Sequence, residues 1–334
     1  MNRIFLRGDK LSFAVIIPTR NRPGELEVAI RSVLQQSQPP DELIVVDDGS
    51  DYEIVLKIRS LANSIGNPVR LLELPYIKDG NGPAYSRNAG IQISSATHIC
   101  FLDDDDYWID TNYISHLDKI VKLEDSEFDV HFCNQRAFDL NVEVTRSIWI
   151  AELSKIVKDR PCELGGEYIV SVDDLLCCTG FCHLNTTCVR KEFFQSLGGF
   201  NDEIGYESDR EFFLRAIDRA KIIKYTPIDI AIHNIPRKIL ANSVSTSISE
   251  YNKWLFQLRI LEKASIESQH PKIRAYARQH KSYTLKKIAK NLYDEGNYQR
   301  AWLHARTALL TGFSVRWALF TMVAMGAALL EMVF

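Results

Sequence analysis

The chain lacks the features that would place it quickly. Its seven cysteines (Cys100, Cys133, Cys162, Cys177, Cys178, Cys182 and Cys188) form no Cys-x-x-Cys pair. With no apolar targeting segment before the first strand near residue 13, the odd count points to reduced thiols and a cytoplasmic setting. Cys177, Cys178, Cys182, His183 and Cys188 cluster, yet their spacing matches no common zinc pattern, so small buried residues are expected there. Neither sign of charge dominates: 40 Lys and Arg against 43 Asp and Glu leave −3, which removes any global case for nucleic-acid binding. The charge-free run Ala318–Leu330 has 13 residues, short for a membrane span. No glycine-rich phosphate loop follows the first strand, which argues against a nucleotidyltransferase.

The 334 residues, 46% of them apolar and 25% charged, suffice for one large or two modest globular domains. Charge is unevenly spread. Between Tyr251 and Arg306 stand 12 Lys and Arg against 4 Asp and Glu, a segment of +8 that leaves −11 elsewhere.

The most unusual stretch is Cys100-Phe101-Leu102-Asp103-Asp104-Asp105-Asp106-Tyr107-Trp108. A strand that ends in four carboxylates places like charges side by side, and burying them unpaired is costly. A hard divalent cation with oxygen ligands, Mg²⁺ or Mn²⁺, would relieve the repulsion. In isolation, a solvated acidic loop would look the same.

The surrounding pattern decides between them. Short apolar runs at 12–19, 43–46, 69–74 and 98–102 read as buried strands, with helical spacing at 25–36, from 51 to about 65, and at 84–93. Strands of this kind alternating with helices imply an α/β fold, a mostly parallel sheet covered on both faces. Ligands bind such sheets at the carboxyl ends of the strands. Three polar clusters stand at those ends: Pro18-Thr19-Arg20-Asn21-Arg22, Asp47-Asp48-Gly49-Ser50, and Asp103 to Asp106. Beyond them a helix is expected at 113–123, strands at 128–133, 185–190 and 222–232, and helices at 191–197 and 209–220; residues 138–185 give no clear period. Three helices follow at 251–265, 272–295 and 298–310, then an apolar tail at 313–334. The tail and the basic segment before it suit attachment to an anionic inner leaflet; a helix packed on its own domain would share the composition.

Taken together, Val15-Ile16-Ile17-Pro18-Thr19-Arg20-Asn21-Arg22, Val45-Val46-Asp47-Asp48-Gly49-Ser50, Ser86-Arg87-Asn88-Ala89-Gly90 and Phe101-Leu102-Asp103-Asp104-Asp105-Asp106 resemble the family 2 glycosyltransferases in order and spacing. The resemblance covers about residues 12–246. It implies a GT-A, Rossmann-like domain over 1–246, with a nucleotide-sugar half at about 12–110 and an acceptor half at about 111–246. Residues 247–334 would form an all-helical extension. It implies an inverting enzyme that moves a sugar from a nucleotide diphosphate sugar, a UDP-sugar by the acceptor-only chemistry of Asp48, to a glycan or lipid-linked glycan in bacterial surface polysaccharide assembly. By the same resemblance Thr19 and Asp48 hold the nucleoside, with Pro18, Arg20 and Arg22 beside them, and Arg87 contacts phosphate. The Asp-x-Asp motif is Asp103-Asp104-Asp105. Asp105 is the principal ligand of Mn²⁺ or Mg²⁺, Asp103 assists, Asp104 lies near the ribose, and His233 is a further candidate ligand. The segment from Gly198-Gly199-Phe200 to Leu214-Arg215 is similar to the family's acceptor motif and makes Asp209 the base, with Glu207 as rival. Ser208 stands where the family usually has Glu. Asn242 to Ser245 is similar to the family's polar loop after the histidine. A binding or scaffold protein on a degenerate transferase fold remains the competing reading.

Overall fold

The computed structural model describes residues 11–123, 127–140, 142–145, 149–235 and 244–333. The chain runs β1 (Phe13–Thr19), α1 (Pro23–Leu34), β2 (Glu42–Asp47), α2 (Tyr52–Ile65), β3 (Val69–Glu73), α3 (Pro83–Ile93), β4 (His98–Phe101), β5 (Tyr107–Trp108) and α4 (Tyr113–Lys122). It continues through β6 (Val130–Asp139), β7 (Val142–Glu143), α5 (Leu153–Val157), β8 (Tyr168–Ile169), α6 (Val172–Leu176), β9 (Thr187–Arg190), α7 (Lys191–Ser196), α8 (Ser208–Arg219) and β10 (Ile223–Asn234). The helices α9 (Val244–Ser247), α10 (Glu250–Glu267), α11 (Pro271–Asp294), α12 (Tyr298–Thr311) and α13 (Val315–Val333) complete it. Residues 242 and 243 of the expected polar loop lie outside the described residues.

The sheet order is β3-β2-β1-β4-β9-β6-β10-β5, with β7 on β6 and β8 on β10. The pairs β3–β2, β2–β1, β1–β4 and β6–β10 are parallel, and β9 runs antiparallel between β4 and β6. The period of two in β1 explains the double covering. Phe13, Val15 and Ile17 join Leu43 and Val45 beneath α1 (Leu26, Ile30, Val33) and α4 (Ile114, Leu117, Ile120). Ala14 and Ile16 join Ile44 and Val46 on the other face, against α3 (Ala84, Ile91), α7 (Phe193, Phe194) and α8 (Phe212, Ala216). Each buried Val, Leu, Ile or Phe among them contributes roughly 1.5–3 kcal/mol by leaving water. Polar residues are thereby confined to the strand ends.

Two compact units are present, Met1–Glu203 with Ser208–Arg237, and Ile204–Glu207 with Lys238–Phe334. In the second, α12 and α13 approach through small residues: Ala301, Ala305 and Ala308 on one helix, Thr321, Ala324 and Ala328 on the other, all buried. The expected 13-residue apolar run understates α13. The helix has 19 residues, because Arg316 and Glu331 lie within its ends rather than beyond them. Among the described residues it is the one helix long and apolar enough to cross a membrane, with a mean hydropathy of 1.4 over Val315–Met332 and 17% of that window buried. Of the clustered cysteines expected to be buried, Cys178, Cys182 and Cys188 are, and Cys177 is exposed. Cys177 ends the short helix α6, where its side chain faces outward.

Candidate functional site

The site stands at the carboxyl ends of β1, β2 and β4. Parallel pairing sets Thr19 of β1 beside Asp47 of β2, and the backbone N–H of Leu102, just past β4, donates to Ile16 at 3.2 Å. Asp48 organises the loop before α3. Its Oδ1 accepts from the backbone and side-chain N–H groups of Asn81, both at 2.9 Å, and its Oδ2 accepts from the Gly82 N–H at 2.8 Å. Arg20 donates to the carbonyls of Ile77 and Lys78 on the same loop at 2.8 and 2.7 Å. Gly80 has φ +74°, and a Cβ there would fall 2.5 Å from Arg20 Nη1 and 2.7 Å from Asp48 Oδ2, so only glycine fits.

The four aspartates divide among several partners, with Arg22 shared by two of them. Asp103 pairs with Arg87, which is itself buried. Asp104 accepts from Thr19 Oγ1 at 2.7 Å and from Arg22 at 3.1 Å. Asp105 accepts from Arg22 at 2.7 Å. Asp106 is 1% exposed and accepts from Asn185 Nδ2 at 2.6 Å, His233 Nδ1 at 2.8 Å and the Asn234 backbone N–H at 2.7 Å. Pro18, Thr19, Arg22, Arg87 and the aspartates thus stand at one edge, and His233 joins them from within β10 rather than after it.

Two residues of the network carry no periodic or motif signal in the sequence. Asn185 is fully buried; its Oδ1 accepts from the Asp103 N–H at 3.0 Å, and its backbone carbonyl accepts from Trp108 Nε1 at 3.0 Å. His183 places Nε2 3.8 Å from Asp103 Oδ2, with its ring centroid 4.9 Å from that of His233. One carboxylate oxygen of Asp106 and one nitrogen each of His183 and His233 lie within 4.8 Å of one another.

The electrostatics follow from burial. Desolvation, then repulsion from Asp106 and Asp104, pushes Asp105 up to about 7 against the pull of Arg22. Desolvation raises Asp104 to about 6 despite Arg22 and Thr19. For Asp103 burial acts the same way, but Arg87 and the two histidines prevail and hold it below the usual carboxylate range. Burial opposes the charging of His233, yet Asp106 lifts it to about 9. Carboxylates this crowded remain short of positive charge. A divalent cation fits the donor set, because hard oxygens and an imidazole are the ligands Mn²⁺ and Mg²⁺ accept. The resemblance gives it to Asp105, Asp103 and His233, whereas the donor atoms that stand within 4.8 Å of one another are those of Asp106, His183 and His233.

Asp209 lies in the first turn of α8, receives the Arg210 N–H at 2.9 Å, and is near enough to act on the charge of His183. Glu207 has φ +56° and accepts from Gln257 of α10 at 2.8 Å. Ser208 is buried at the helix start.

Residues 14–159 match the profile described as Glycosyl transferase family 2. The chain is similar to the amylovoran biosynthesis glycosyltransferase AmsB of Erwinia amylovora, 26% identical over 54% of this chain and 56% of that protein. It is also similar to the Escherichia coli UDP-Glc:alpha-D-GlcNAc-diphosphoundecaprenol beta-1,3-glucosyltransferase WfgD, 34% identical over 30% of this chain and 38% of that protein. The chain therefore spans about half or less of the length of these two relatives. The crystal structure of S. aureus TarS 1-349 in complex with UDP-GlcNAc superposes with a TM-score of 0.62 at 16% identity, over 95% of this chain and 88% of that one. Motifs, topology and relatives agree: the chain carries a family 2 glycosyltransferase domain at residues 14–159, on a GT-A fold.

Proposed function

We propose that the protein is a metal-dependent, inverting glycosyltransferase that moves a sugar from a UDP-sugar to a hydroxyl of a glycan or lipid-linked glycan during bacterial surface polysaccharide assembly. The observation that carries this reading is the meeting of Thr19, Asp48, Arg87 and the four aspartates at one sheet edge. The named activity of the E. coli relative, a UDP-glucose transfer to a diphosphoundecaprenol-linked sugar, supports both halves of it.

In this reading Asp48 receives the uracil N3–H, Arg87 turns its planar fork from Asp103 toward phosphate, and Asp104 with Thr19 lies at the ribose. When bound, the cation offsets the diphosphate charge. Asp209 takes the acceptor hydroxyl proton; the acceptor oxygen bonds to the anomeric carbon as its bond to the diphosphate oxygen breaks, and the configuration inverts. Glu207 is less suited to the base role, since its carboxylate is engaged by Gln257. In this reading a transferase domain runs to about residue 246 with a helical extension after it; the compact units divide nearby, at 237/238, with residues 204–207 in the second.

The extension supplies the site of action. On α13 the residues Val315, Leu319, Met322, Val323, Leu329 and Leu330 are each more than half exposed and share one face, opposite the alanines that pack on α12. With the +8 segment before it, this face suits peripheral attachment to the anionic cytoplasmic leaflet.

Asp209→Asn tests the chemistry. With UDP-sugars supplied as a panel, it should lower kcat by about 10²–10⁴, the usual worth of general-base catalysis, while donor binding stays within twofold. An unchanged kcat would remove Asp209 from the base role.

A further inference from the structure

Asp106, His183 and His233 look like three ligands of one cation, since their donor atoms lie within 4.8 Å. Their hydrogen bonds argue for a different division. Asp106 already has both oxygens engaged, by Asn185 and His233 at Oδ2 and by the Asn234 N–H at Oδ1. A buried carboxylate so satisfied orients its neighbours.

The two histidines are wired in opposite senses. His233 gives its Nδ1 proton to Asp106 at 2.8 Å, which leaves Nε2 as the nitrogen a cation can reach, by displacing the proton there. That carboxylate–imidazole arrangement is the one that orients a metal-binding histidine. His183 instead accepts at Nδ1, from the Asn185 backbone N–H at 3.4 Å, capping the short turn Leu184–Thr186. A neutral imidazole that accepts at Nδ1 carries its proton on Nε2 and has no lone pair there for a metal. Asp103 Oδ2, 3.8 Å from that nitrogen, is too far for a hydrogen bond. Trp149 fixes both rings from one side, with centroids 5.2 Å from His233 and 5.8 Å from His183. Its φ of +54° is a strained setting for an aromatic residue, held where the Gly180 N–H donates to the Trp149 carbonyl at 3.1 Å.

We propose that the imidazoles do opposite work: His233, set by Asp106, offers Nε2 to the cation, whereas His183 donates its Nε2–H to an oxygen of the bound nucleotide sugar and takes no part in holding metal. The acceptor oxygen belongs to the diphosphate or to a sugar hydroxyl. This assignment rests on reading the site as the donor site.

The test measures Mn²⁺ binding by electron paramagnetic resonance, and UDP and UDP-GlcNAc binding by calorimetry. Wild type is compared with His183→Ala, His183→Gln, His233→Gln and Asp106→Asn. Both His183 variants should bind Mn²⁺ within twofold of wild type. His183→Ala should weaken nucleotide binding by about 10- to 100-fold, the worth of a hydrogen bond to a charged acceptor. His183→Gln, whose amide reaches the same place, should restore most of it. His233→Gln should lose Mn²⁺, and Asp106→Asn should weaken it by about 10- to 100-fold. Weakening of UDP and UDP-GlcNAc alike identifies the diphosphate as acceptor; weakening of UDP-GlcNAc alone identifies the sugar. Loss of Mn²⁺ in His183→Gln, or unaltered binding of both nucleotides by His183→Ala, overturns the assignment. Wild type that binds neither Mn²⁺ nor nucleotide overturns the donor-site reading itself, and this assignment with it.

Discussion

Asn185→Leu is the substitution from which the site network loses most. Leucine keeps the heavy-atom branching of asparagine while deleting its amide. The Asp103 backbone N–H then loses its 3.0 Å acceptor, and Asp106, 1% exposed, loses one of three donors. An orphaned buried N–H costs about 1–3 kcal/mol, and a lost bond to a charged group about 1.5–3 kcal/mol. The backbone bond from Trp108 Nε1 to the Asn185 carbonyl is untouched by the change. The expected destabilisation is therefore about 3–5 kcal/mol, a large share of a typical total. It should be read as a lowered urea midpoint in the unit that contains Trp108. Function should fall with it. Asp103 is the partner of Arg87, and Asp106 seats His233, so Mn²⁺-dependent UDP binding should weaken more than tenfold even well below the unfolding transition. A loss under about 1 kcal/mol with unaltered binding would refute the view that Asn185 holds Asp103 and Asp106 in place.

Two further outcomes follow from other parts of the chain. His98 is 3% exposed between the rings of Phe13 and Phe128, and burial with Arg190 nearby pushes it down to about 4. The unfolded chain binds that proton near 6.5 and the folded chain does not, so its stability is complete above pH 6.5 and drains as pH falls toward 4. His98→Gln should shrink the loss in unfolding free energy between pH 7.5 and 5 by about 2 kcal/mol, read from urea curves at the two pH values. On α13, Leu319→Glu with Val323→Glu should abolish flotation with anionic vesicles without changing UDP binding; retained flotation, or a wild type that sediments as an oligomer and ignores vesicles, would assign that face to protein contact instead.

Much of the transferase unit could be read before any coordinates. The strands β1, β2 and β4 are covered on both faces, so they are written as unbroken apolar runs, and whatever is polar must stand at their ends. That is why Thr19, Asp48 and Asp103 to Asp106 announced one edge. Residues 138–185 resisted because their elements are too short to show a period: β7 and β8 have two residues each, α5 and α6 five. Asn185 gives no sign of a site role in the sequence, and His183 stands there only in a cysteine cluster whose spacing matches no zinc pattern, for a related reason. A single buried amide or imidazole acquires its role only from neighbours such as Asp106 and His233, which arrive from β10 and the Asp run far away in sequence. The apolar tail at 313–334 is α13, longer than its charge-free run because Arg316 and Glu331 stand exposed within the helix, where the carboxylate of Glu331 accepts from the Gln299 N–H.

The most direct test of the donor site is calorimetric titration of nucleoside diphosphates, with and without Mn²⁺, into wild type and Asp105→Ala. The cation site proposed at Asp105, Asp103 and His233 predicts tight binding of UDP that requires both Mn²⁺ and Asp105, because the crowded carboxylates need the cation before they can admit a diphosphate. Absence of binding under every condition would contradict it, and would leave the acidic run a structural loop on a transferase fold that serves as a scaffold.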